Sequence, residues 1–558
     1  MGATPPQTSP KTPSQSQGNS ERTVLDEAHI GDIQGAFGTI EHGDEGARKN
    51  LGARLRTLLA ILGPGLIVMV GDNDAGAFGT YAQAGQNYGY TLLWTLILLI
   101  PVLYINQEMV VRLGAVTGVG HARLILERFG KFWGAFSVID LFLLNALTIV
   151  TEFIGIVLGL HYLGLPTIPG VIISAIIIMF AVSTGSFQRF ERFAMCLVGG
   201  TLIMIPMYFM IGPPIAEVAR HTFIPGIPHE GKLSDVMLLI IGIVGTTVAP
   251  WQLFFQQSYV IDKRITPRYI RYERIDLAFG ISVAIFGGLA IIACAAYAFK
   301  DHPEFGHFAD VGAVAAGMEK YFGKVAASMF AFALIVSSII GASAVSLSTA
   351  YALGDVLSLK HSLHRKPSDA KGFYAVYFAL IAISATLVLT PNVPLGLLTS
   401  AVQTLAGVLL PSATVFLLLL CNDKEVLGPW VNGRGVNLFT GGIVAILVML
   451  SIILTAAVVF PDITAQQIEL ILLIGAGIGI VVTVFTLVTA KKSTPMQPIQ
   501  ILNRTEKDEW RMPPLSTLAP KKISSLNRLW MGVLRSYLVL AAGLVLVRIV
   551  SLAMGWTH

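Results

Sequence analysis

Long apolar runs separated by short polar segments follow one another along most of the chain. A helix needs about 20 mostly apolar residues to cross the hydrocarbon of a bilayer, where it satisfies its own backbone hydrogen bonds. Twelve runs meet this requirement. We predict spans 1 to 12 at 57–84, 90–112, 134–162, 168–184, 193–213, 234–260, 275–299, 322–356, 372–390, 393–421, 436–460 and 468–490. A further apolar stretch, about 531–555, is either a thirteenth span or a helix lying in the interface.

The chain ends are polar by comparison. The first 50 residues are rich in Ser, Thr, Pro, Gln and Gly and contain no apolar core of a signal peptide, so they are predicted to form a disordered tail. We therefore expect three parts: the tail over 1–50, a membrane core over 51–492, and a linker with a possible extra membrane helix over 493–558.

Composition and charge support a polytopic membrane protein. Hydrophobic residues make up 54% of the chain and charged residues only 13%, about half the charged share of a soluble protein. If the N-terminus is cytoplasmic, the inner segments hold 23 Lys and Arg residues and the outer segments hold five. This asymmetry predicts that the protein lies in the plasma (inner) membrane with its N-terminus on the cytoplasmic side. The three cysteines have no paired spacing and indicate neither a disulfide nor a zinc site.

Two of the spans are interrupted near their middle. Span 1 contains Gly71, Gly76 and Gly79, and span 6 contains Gly245 and Pro250. The two spans are five apart, and an odd offset means that the two copies face opposite ways. Paired interruptions at matching positions of two halves are typical of transporters whose binding site lies at the midplane. We predict inverted repeats of spans 1–5 and 6–10, followed by spans 11 and 12.

The interruption of span 1 carries two carboxylates, Asp72 and Asp74, on either side of Asn73. Buried carboxylates are costly in hydrocarbon and face a cavity or a bound partner. Glycine lets the chain leave the helix, and the carbonyls that this frees, at Gly71 for example, combine with carboxylates into a ligand set for a hard or borderline divalent cation. The alternative is a kinked helix whose aspartates pair with basic residues elsewhere.

Span 6 offers further oxygen atoms beside its proline. Pro250 leaves carbonyls free near Thr246, and the hydroxyls of Thr246 and Thr247 are candidate ligands or cavity groups. Gln252 adjoins the interruption and is a candidate for hydrogen bonding to water around an ion. The glutamines at 256 and 257 either line the same cavity or form a contact between helices.

Two more polar residues lie deep in the predicted spans. Glu152 in span 3 is either a proton acceptor near the cavity or a protonated acid bonded to a neighbour. Gln403 in span 10 is a weaker candidate for the cavity lining. The sequence contains no nucleophile–base set and no phosphate-binding loop, so we expect neither an enzyme nor a cofactor.

Several segments resemble the natural-resistance-associated macrophage protein family of divalent metal transporters. They are GPGLIVMVGDNDAGAFGTYAQAGQNYGYTLLW and VVRLGAVTG in spans 1 and 2, GTTVAPWQLFFQQS in span 6, AVQTLAGVLLPSA in span 10, and LGPWVN before span 11. The resemblance covers roughly residues 55–490. It implies an all-α, leucine-transporter-like fold with discontinuous helices 1 and 6, and alternating access to a central metal site.

The chain departs from the family at its signature motifs. The family's Asp-Pro-Gly-Asn reads Asp74-Ala75-Gly76-Ala77 here, and its Met-Pro-His reads Ala249-Pro250-Trp251. One ligand is kept at Asp74, while Ala77 and Ala249 stand where an amide and a thioether ligand are expected. A thioether favours soft metals, and Mg²⁺ prefers oxygen ligands and keeps several waters. We therefore expect a wider, partly hydrated site and resemblance to the family's magnesium-transporting branch, with Mg²⁺ carried and Mn²⁺ tolerated.

The same departures bear on coupling. Trp251 and Gln256 replace both histidines of the span 6 motif, and neither titrates near neutral pH, so we expect weak or absent proton coupling. The alternatives are a proton-coupled Mn²⁺ or Fe²⁺ transporter, a sodium-coupled transporter of small organic molecules with the same fold, and a sensor that signals through its tail. The expected partners are the metal cation and the lipid bilayer, without nucleic acid.

Overall fold

A computed structural model describes residues 27–521 apart from 45, 47, 229–231, 391–394, 460–462 and 491–503, together with a few positions between 531 and 547. Helices lie at all twelve predicted spans. Their bounds, in chain order, are Leu51–Ile61, Pro64–Gly71 and Ala75–Tyr88 for span 1, then Trp94–Thr117, Lys131–Tyr162, Thr167–Val182, Phe187–Thr201 with Met204–Ile211, Leu233–Thr247 with Pro250–Asp262, Ile270–Phe299, Lys324–Val356, Lys371–Val388, Leu395–Cys421, Arg434–Val459 and Ala465–Ala490.

Fewer of these helices reach full membrane length than the sequence predicts. Within the described residues, nine are long and apolar enough to cross a membrane, or ten if the bent pair Leu51–Ile61 and Pro64–Gly71 is one span. The difference from twelve lies in span 4, which is a helix of 16 residues, and in span 12, where the count covers only Gln466–Val481 of the 26-residue helix Ala465–Ala490. The stretch 531–555 lies almost wholly outside the described residues.

Shorter elements connect the spans. They are the α-helices His121–Phe129, Ile215–Phe223, Val311–Phe322, Lys424–Leu427 and Arg504–Glu509, the 3₁₀ turns Glu27–His29, Pro267–Tyr269, Gly428–Trp430 and Leu515–Thr517, and the strands Ile33–Gly35 and Gly38–Ile40. We call the side that carries the Lys/Arg-rich segments 111–133, 261–274 and 358–372 the basic side of the bundle.

Both predicted interruptions are present. We call Pro64–Gly71 helix 1a and Ala75–Tyr88 helix 1b, and Leu233–Thr247 helix 6a and Pro250–Asp262 helix 6b. The chain leaves the helix at 72–74 in span 1 and at 248–249 in span 6. Proline stands at the first helical position of both 1a and 6b, where its missing N–H costs nothing.

The packing of the spans is reciprocal. Span 1 packs along span 7, span 6 packs along span 2, and span 3 packs along span 8. An exchange of each span with the one five positions away maps the first pair onto the second and the third onto itself. This is the arrangement expected of an inverted repeat. Spans 1 and 7 approach closely at Gly65 and Gly280, where an added methyl carbon would lie 2.7 Å from backbone atoms of the facing helix.

Part of the segment predicted to be disordered is ordered. Residues 33–35 and 38–40 form an antiparallel β-hairpin in which Ile33 pairs with Ile40, and this corrects the prediction for the end of the tail. The hairpin lies against the first helix, because a methyl carbon on Gly35 would overlap the carbonyl oxygen of Ala60. Residues 1–26 lie outside the described part of the chain.

Charged side chains on the basic side fasten this hairpin. The Ala36 N–H donates to Glu191 over 2.6 Å, and the Arg264 guanidinium donates to the carbonyl oxygens of Ala28 and Asp32. Glu191 also pairs with Lys263 over 2.7 Å, and both side chains are fully buried. The hairpin is therefore joined to spans 5 and 6 where they reach the basic side.

The segment after span 12 also returns to the basic side. The Lys521 N–H donates to the carbonyl oxygen of Arg128 over 2.9 Å, and the Met512 N–H donates to that of Val116 over 3.3 Å. The indole of Trp430 donates to the Lys507 carbonyl oxygen over 2.9 Å. The described part of the predicted linker over 493–558 thus packs against the loops that follow spans 2 and 10.

Candidate functional site: two helix interruptions

Four helix ends surround the interruptions. Helices 1a and 6a each end in carbonyls that lack an intrahelical partner, and helices 1b and 6b each begin with N–H groups that have no acceptor within their own helix. Asp74 is the N-cap of helix 1b, and Ala249 is the N-cap of helix 6b. The predicted site residues thus lie at positions where the backbone itself supplies polar groups.

Asp74 caps helix 1b and contacts the acid of span 3. Its Oδ1 accepts from the Ala77 N–H over 2.8 Å, and the Glu152 carboxyl lies beside its side chain. Glu152 Oε2 accepts from the Ala75 N–H over 3.1 Å. The other oxygen, Oε1, has no hydrogen-bond partner among the described residues. The structure therefore brings Glu152 to the interruption of span 1.

Asp72 ends helix 1a and accepts a hydrogen bond from Gln252 of helix 6b. Asp72 and Asp74 are 1% and 3% exposed. The groups that act on these carboxyls are each other, Gln252, Glu152 and nearby N–H groups. Within the described residues, no Lys or Arg is paired with either one. The alternative of a kink held by basic partners is not what this structure has.

The hydroxyls of the two threonines of helix 6a differ in their hydrogen bonds. The Thr247 hydroxyl lies 2.7 Å from the Tyr81 hydroxyl and donates to the Ile243 carbonyl oxygen over 2.6 Å. The Thr246 hydroxyl is buried, and in the part of the chain that the structure describes it has no partner. Thr246 is therefore free to contact an ion, whereas Thr247 fastens helix 6a to helix 1b.

The remaining predicted residues also differ in whether they hydrogen-bond within the scaffold or face an interruption. Asn73 donates to the Ala284 carbonyl oxygen in span 7 over 2.8 Å. Trp251 is buried, and its carbonyl oxygen accepts from Ser348. The Gln403 amide lies directly against Gly76, where even a methyl group would overlap it, and among the described residues its nitrogen lacks a partner. Asn73 and Trp251 hold the scaffold, while Gln403 faces the interruption of span 1.

Gln256 and Gln257, further along helix 6b, also differ in their hydrogen bonds. Gln257 donates to the Val119 carbonyl oxygen over 2.7 Å, and its amide oxygen lies 2.9 Å from Nδ1 of His121. Burial lowers the pKa of His121 to about 4, so this imidazole is neutral at pH 7. Gln256 is fully buried, and neither of its amide atoms has a partner in the described structure. Gln257 thus forms a contact between helices.

A small cleft lies on either side of the buried site. The first is lined by Ala75, Gly155 and Ser400 and reaches Asp310 in the loop opposite the basic side. The second lies between Pro250 of helix 6b and Asp140, nearer the basic end of span 3. The interruptions are closed to solvent and lie between these two clefts.

An acid near the first cleft is already paired. The Lys320 ammonium and the Tyr321 hydroxyl lower the pKa of Glu304 to about 2, and the Lys320 Nζ lies 2.8 Å from Glu304 Oε1. This carboxylate is ionised throughout the physiological range, and its charge is matched by a neighbouring ammonium.

Sequence reasoning missed two polar groups at the site. Gln107 in span 2 donates to the Gln252 amide oxygen over 3.0 Å, and Tyr81 lies about two turns along helix 1b from Asp74. The signal in the sequence is the pair of adjacent amides, Asn106 and Gln107, inside predicted span 2.

The groups that face the interruptions offer oxygen atoms that can act as metal ligands. They include the carboxylates of Asp72 and Asp74, the hydroxyl of Thr246 and the carbonyls at the ends of helices 1a and 6a. No group of three or more His, Cys, Asp or Glu side chains within the described residues forms a ready-made metal cluster. The set is therefore suited to a transient hard or borderline cation that keeps part of its water.

A comparison with protein families and a comparison with individual proteins agree with each other. A family profile described as "Natural resistance-associated macrophage protein-like" matches residues 65–457. The divalent metal cation transporter MntH of Yersinia enterocolitica is 25% identical over 424 residues, which are 72% of this chain and 96% of that protein. The protein of the same name from Pectobacterium carotovorum is 27% identical over 421 residues, covering 71% and 94%.

A solved structure agrees in fold. The manganese transporter of Eremococcus coleocola, crystallised with an aromatic bis-isothiourea substituted compound, is 20% identical, with a TM-score of 0.59 over 80% of this chain and 98% of that one. This likeness confirms the predicted all-α membrane fold of the leucine-transporter type. The names of these relatives specify divalent metal cations or manganese, and they do not support the narrower expectation of Mg²⁺.

Proposed function

The chain belongs to the natural resistance-associated macrophage protein-like family of membrane transporters, and from this premise we propose that it carries a divalent metal cation through the two helix interruptions. The observation that carries the proposal is the pair of buried carboxylates, Asp72 and Asp74, without a basic partner in the described structure. Two such charges in a low-dielectric interior require a cation or protons to offset them.

The proposed ligands come from both interruptions. Asp74, Asp72, the Thr246 hydroxyl and carbonyls near Gly71 and Ala249 contact the ion, and Ala77 and Ala249 leave room for water beside it. Gln403 and Gln256, whose amides have atoms without a hydrogen-bond partner among the described residues, are proposed to bond that water. Alternating opening of the two clefts would connect the site with each side in turn.

We propose Mn²⁺ as the first ion to test. The relatives named above are described as divalent metal cation or manganese transporters, and Mn²⁺ is one of the two ions in the proton-coupled alternative. Mn²⁺ accepts carboxylate, carbonyl and water oxygens, which is the set at the interruptions.

Mg²⁺ is the second candidate, and one observation favours it. Alanine stands at positions 77 and 249, where the family motifs carry an amide and a thioether. Without the thioether, the site has lost the ligand that discriminates against hard cations. Uptake of both ions into proteoliposomes separates the candidates. Saturable entry of Mn²⁺ or Mg²⁺ supports the proposed function, and entry of neither contradicts it.

Restoring the thioether is expected to change selectivity. In Ala249→Met, the preference for Cd²⁺ over Mg²⁺ should rise about tenfold, or about 1.4 kcal/mol, because a soft ligand is added to an all-oxygen site. Competition of each ion with Mn²⁺ uptake measures this ratio. Ala135→Met, on an exposed face of span 3, is the control. An unchanged ratio in Ala249→Met would place the ion away from position 249.

We propose that the membrane potential drives uptake. Two charges moving through 100 mV gain about 4.6 kcal/mol, and Trp251 and Gln256 take the positions where the family's histidines are expected. The alternative is coupling through Asp72, Asp74 or Glu152. Acidification of the vesicle lumen that follows metal uptake in proportion would support that alternative. A plasma-membrane location with the N-terminus on the cytoplasmic side completes the proposal, and the excess of Lys and Arg on the basic side supports it.

A further inference from the structure

We propose that Gln107 of span 2 is a positioning residue for the transported ion, and that it acts through Gln252 on Asp72. The inference rests on the proposed function, because its consequence is the orientation of one carboxylate at the ion site. We call Gln107, Gln252 and Asp72 the amide relay.

The amide relay joins three spans in one line of hydrogen bonds. Nε2 of Gln107 donates to Oε1 of Gln252 over 3.0 Å, and Nε2 of Gln252 donates to Oδ1 of Asp72. Both glutamines are fully buried, and Asp72 is 1% exposed. Bulk solvent therefore does not reach these groups, and each depends on the orientation of the next.

The chemistry of the three groups permits only one direction for the relay. An ionised carboxylate accepts hydrogen bonds and donates none, so Gln252 must turn its NH₂ group towards Asp72. Its oxygen then faces span 2, and only a donor there can hold it. A glutamine at 107 supplies that donor. An apolar side chain of the same size would leave the Gln252 amide free to turn over.

The direction of the relay matters because of where Asp72 lies. As the residue that ends helix 1a, it occupies the negative end of the helix dipole, where another negative charge is disfavoured. A donated N–H at Oδ1 offsets part of that cost and leaves the other carboxylate oxygen outside the relay. If the Gln252 amide turned over, its oxygen would face Oδ1 of Asp72 and repel it. The carboxylate would then turn, and its other oxygen would no longer be held towards the ion.

The far end of the relay argues against a purely structural role for Gln107. Its own amide oxygen is buried and has no partner in the described part of the chain, and an unmade hydrogen bond of this kind is costly. A leucine at this position would avoid that cost. The donation to Gln252 is what the amide contributes in return.

The test is a double-mutant cycle on Mn²⁺ uptake in proteoliposomes. Gln107→Leu should raise the KM about tenfold with little change in the maximal rate, because a hydrogen bond that supports a charged group is lost. Gln252→Leu should raise the KM at least as far. The double variant should match Gln252→Leu alone, since Gln107 acts only through Gln252.

Asn106→Leu is the matched control, because Asn106 is equally buried in span 2, and among the described residues neither of its amide atoms has a partner. Its KM should stay within about twofold of the wild-type value. Gln107→Met replaces Gln107→Leu if the latter fails to fold, and the same tenfold change is expected. Equal effects of the variants at 106 and 107, or full additivity of the two glutamine variants, would overturn the relay. Absence of wild-type uptake would instead contradict the proposed function.

Discussion

Asp74→Ala is expected to abolish saturable uptake of divalent cations, lowering the rate at limiting metal at least about a hundredfold. The carboxylate is 3% exposed, so it attracts a cation across a poorly screened interior. Loss of a charged ligand there costs about 3 kcal/mol, and each 1.4 kcal/mol is a factor of ten. The same variant should show no heat of Mn²⁺ binding in calorimetry.

A second aspartate separates the loss of a ligand from the loss of a helix cap. Asp310 caps the helix Val311–Phe322 by accepting from the Ala313 N–H over 2.8 Å, as Asp74 accepts from Ala77 over the same distance. Asp310→Ala removes a cap, at a cost of about 1 kcal/mol of stability, and a carboxylate in the lining of the first cleft. Because Asp310 is not a proposed ligand, uptake should fall far less than in Asp74→Ala. Equal loss in both variants, or retained uptake in Asp74→Ala, would contradict the assignment of Asp74 as a ligand.

Lys263→Met is expected to destabilise the protein by about 3–5 kcal/mol, because it leaves a buried carboxylate without its counter-charge. Lys263 is fully buried, pairs with Glu191, and donates to the carbonyl oxygens of Ile61 and Leu62 just before helix 1a. Glu273 and Asp276 are buried nearby, so the lysine offsets more than one acid. Unfolding of purified protein in detergent, followed by temperature or denaturant, measures the loss.

Lys320→Met is the control for this variant. Lys320 also lies close to a carboxylate, Glu304, over 2.8 Å, but both side chains are exposed, and such pairs contribute little. Adding Glu191→Gln to Lys263→Met should recover part of the lost stability, since it removes the unpaired charge. Equal stability of Lys263→Met and wild type would show that the buried acids are neutral in the folded protein.

Local sequence rules predicted the breaks in spans 1 and 6, because glycine and proline act on the residues beside them. They did not predict the hairpin at 33–40. Composition averaged over 50 residues hides a segment as short as IQGAFGTI, whose order depends on contacts with Ala60, Glu191 and Arg264. Such contacts join residues far apart in the chain, and no local pattern encodes them.

The same limit applies to the site. Asp72, Asp74 and Glu152 were predictable because a carboxylate within an apolar run needs an explanation wherever it lies. The different roles of Thr246 and Thr247 were not, since they depend on whether Tyr81 lies near one hydroxyl or the other. Gln107 was missed because its importance comes from Gln252 and Asp72, on two other spans.

Anomalous diffraction from crystals grown with Mn²⁺ tests the central claim most directly, because the peak locates the ion without reference to its effect on transport. We predict one strong peak between the two interruptions, within coordination distance of Asp74 and of oxygen atoms near Thr246, and its loss in Asp74→Ala. A peak elsewhere in the bundle, with the space between Asp74 and Thr246 unoccupied, would contradict the account.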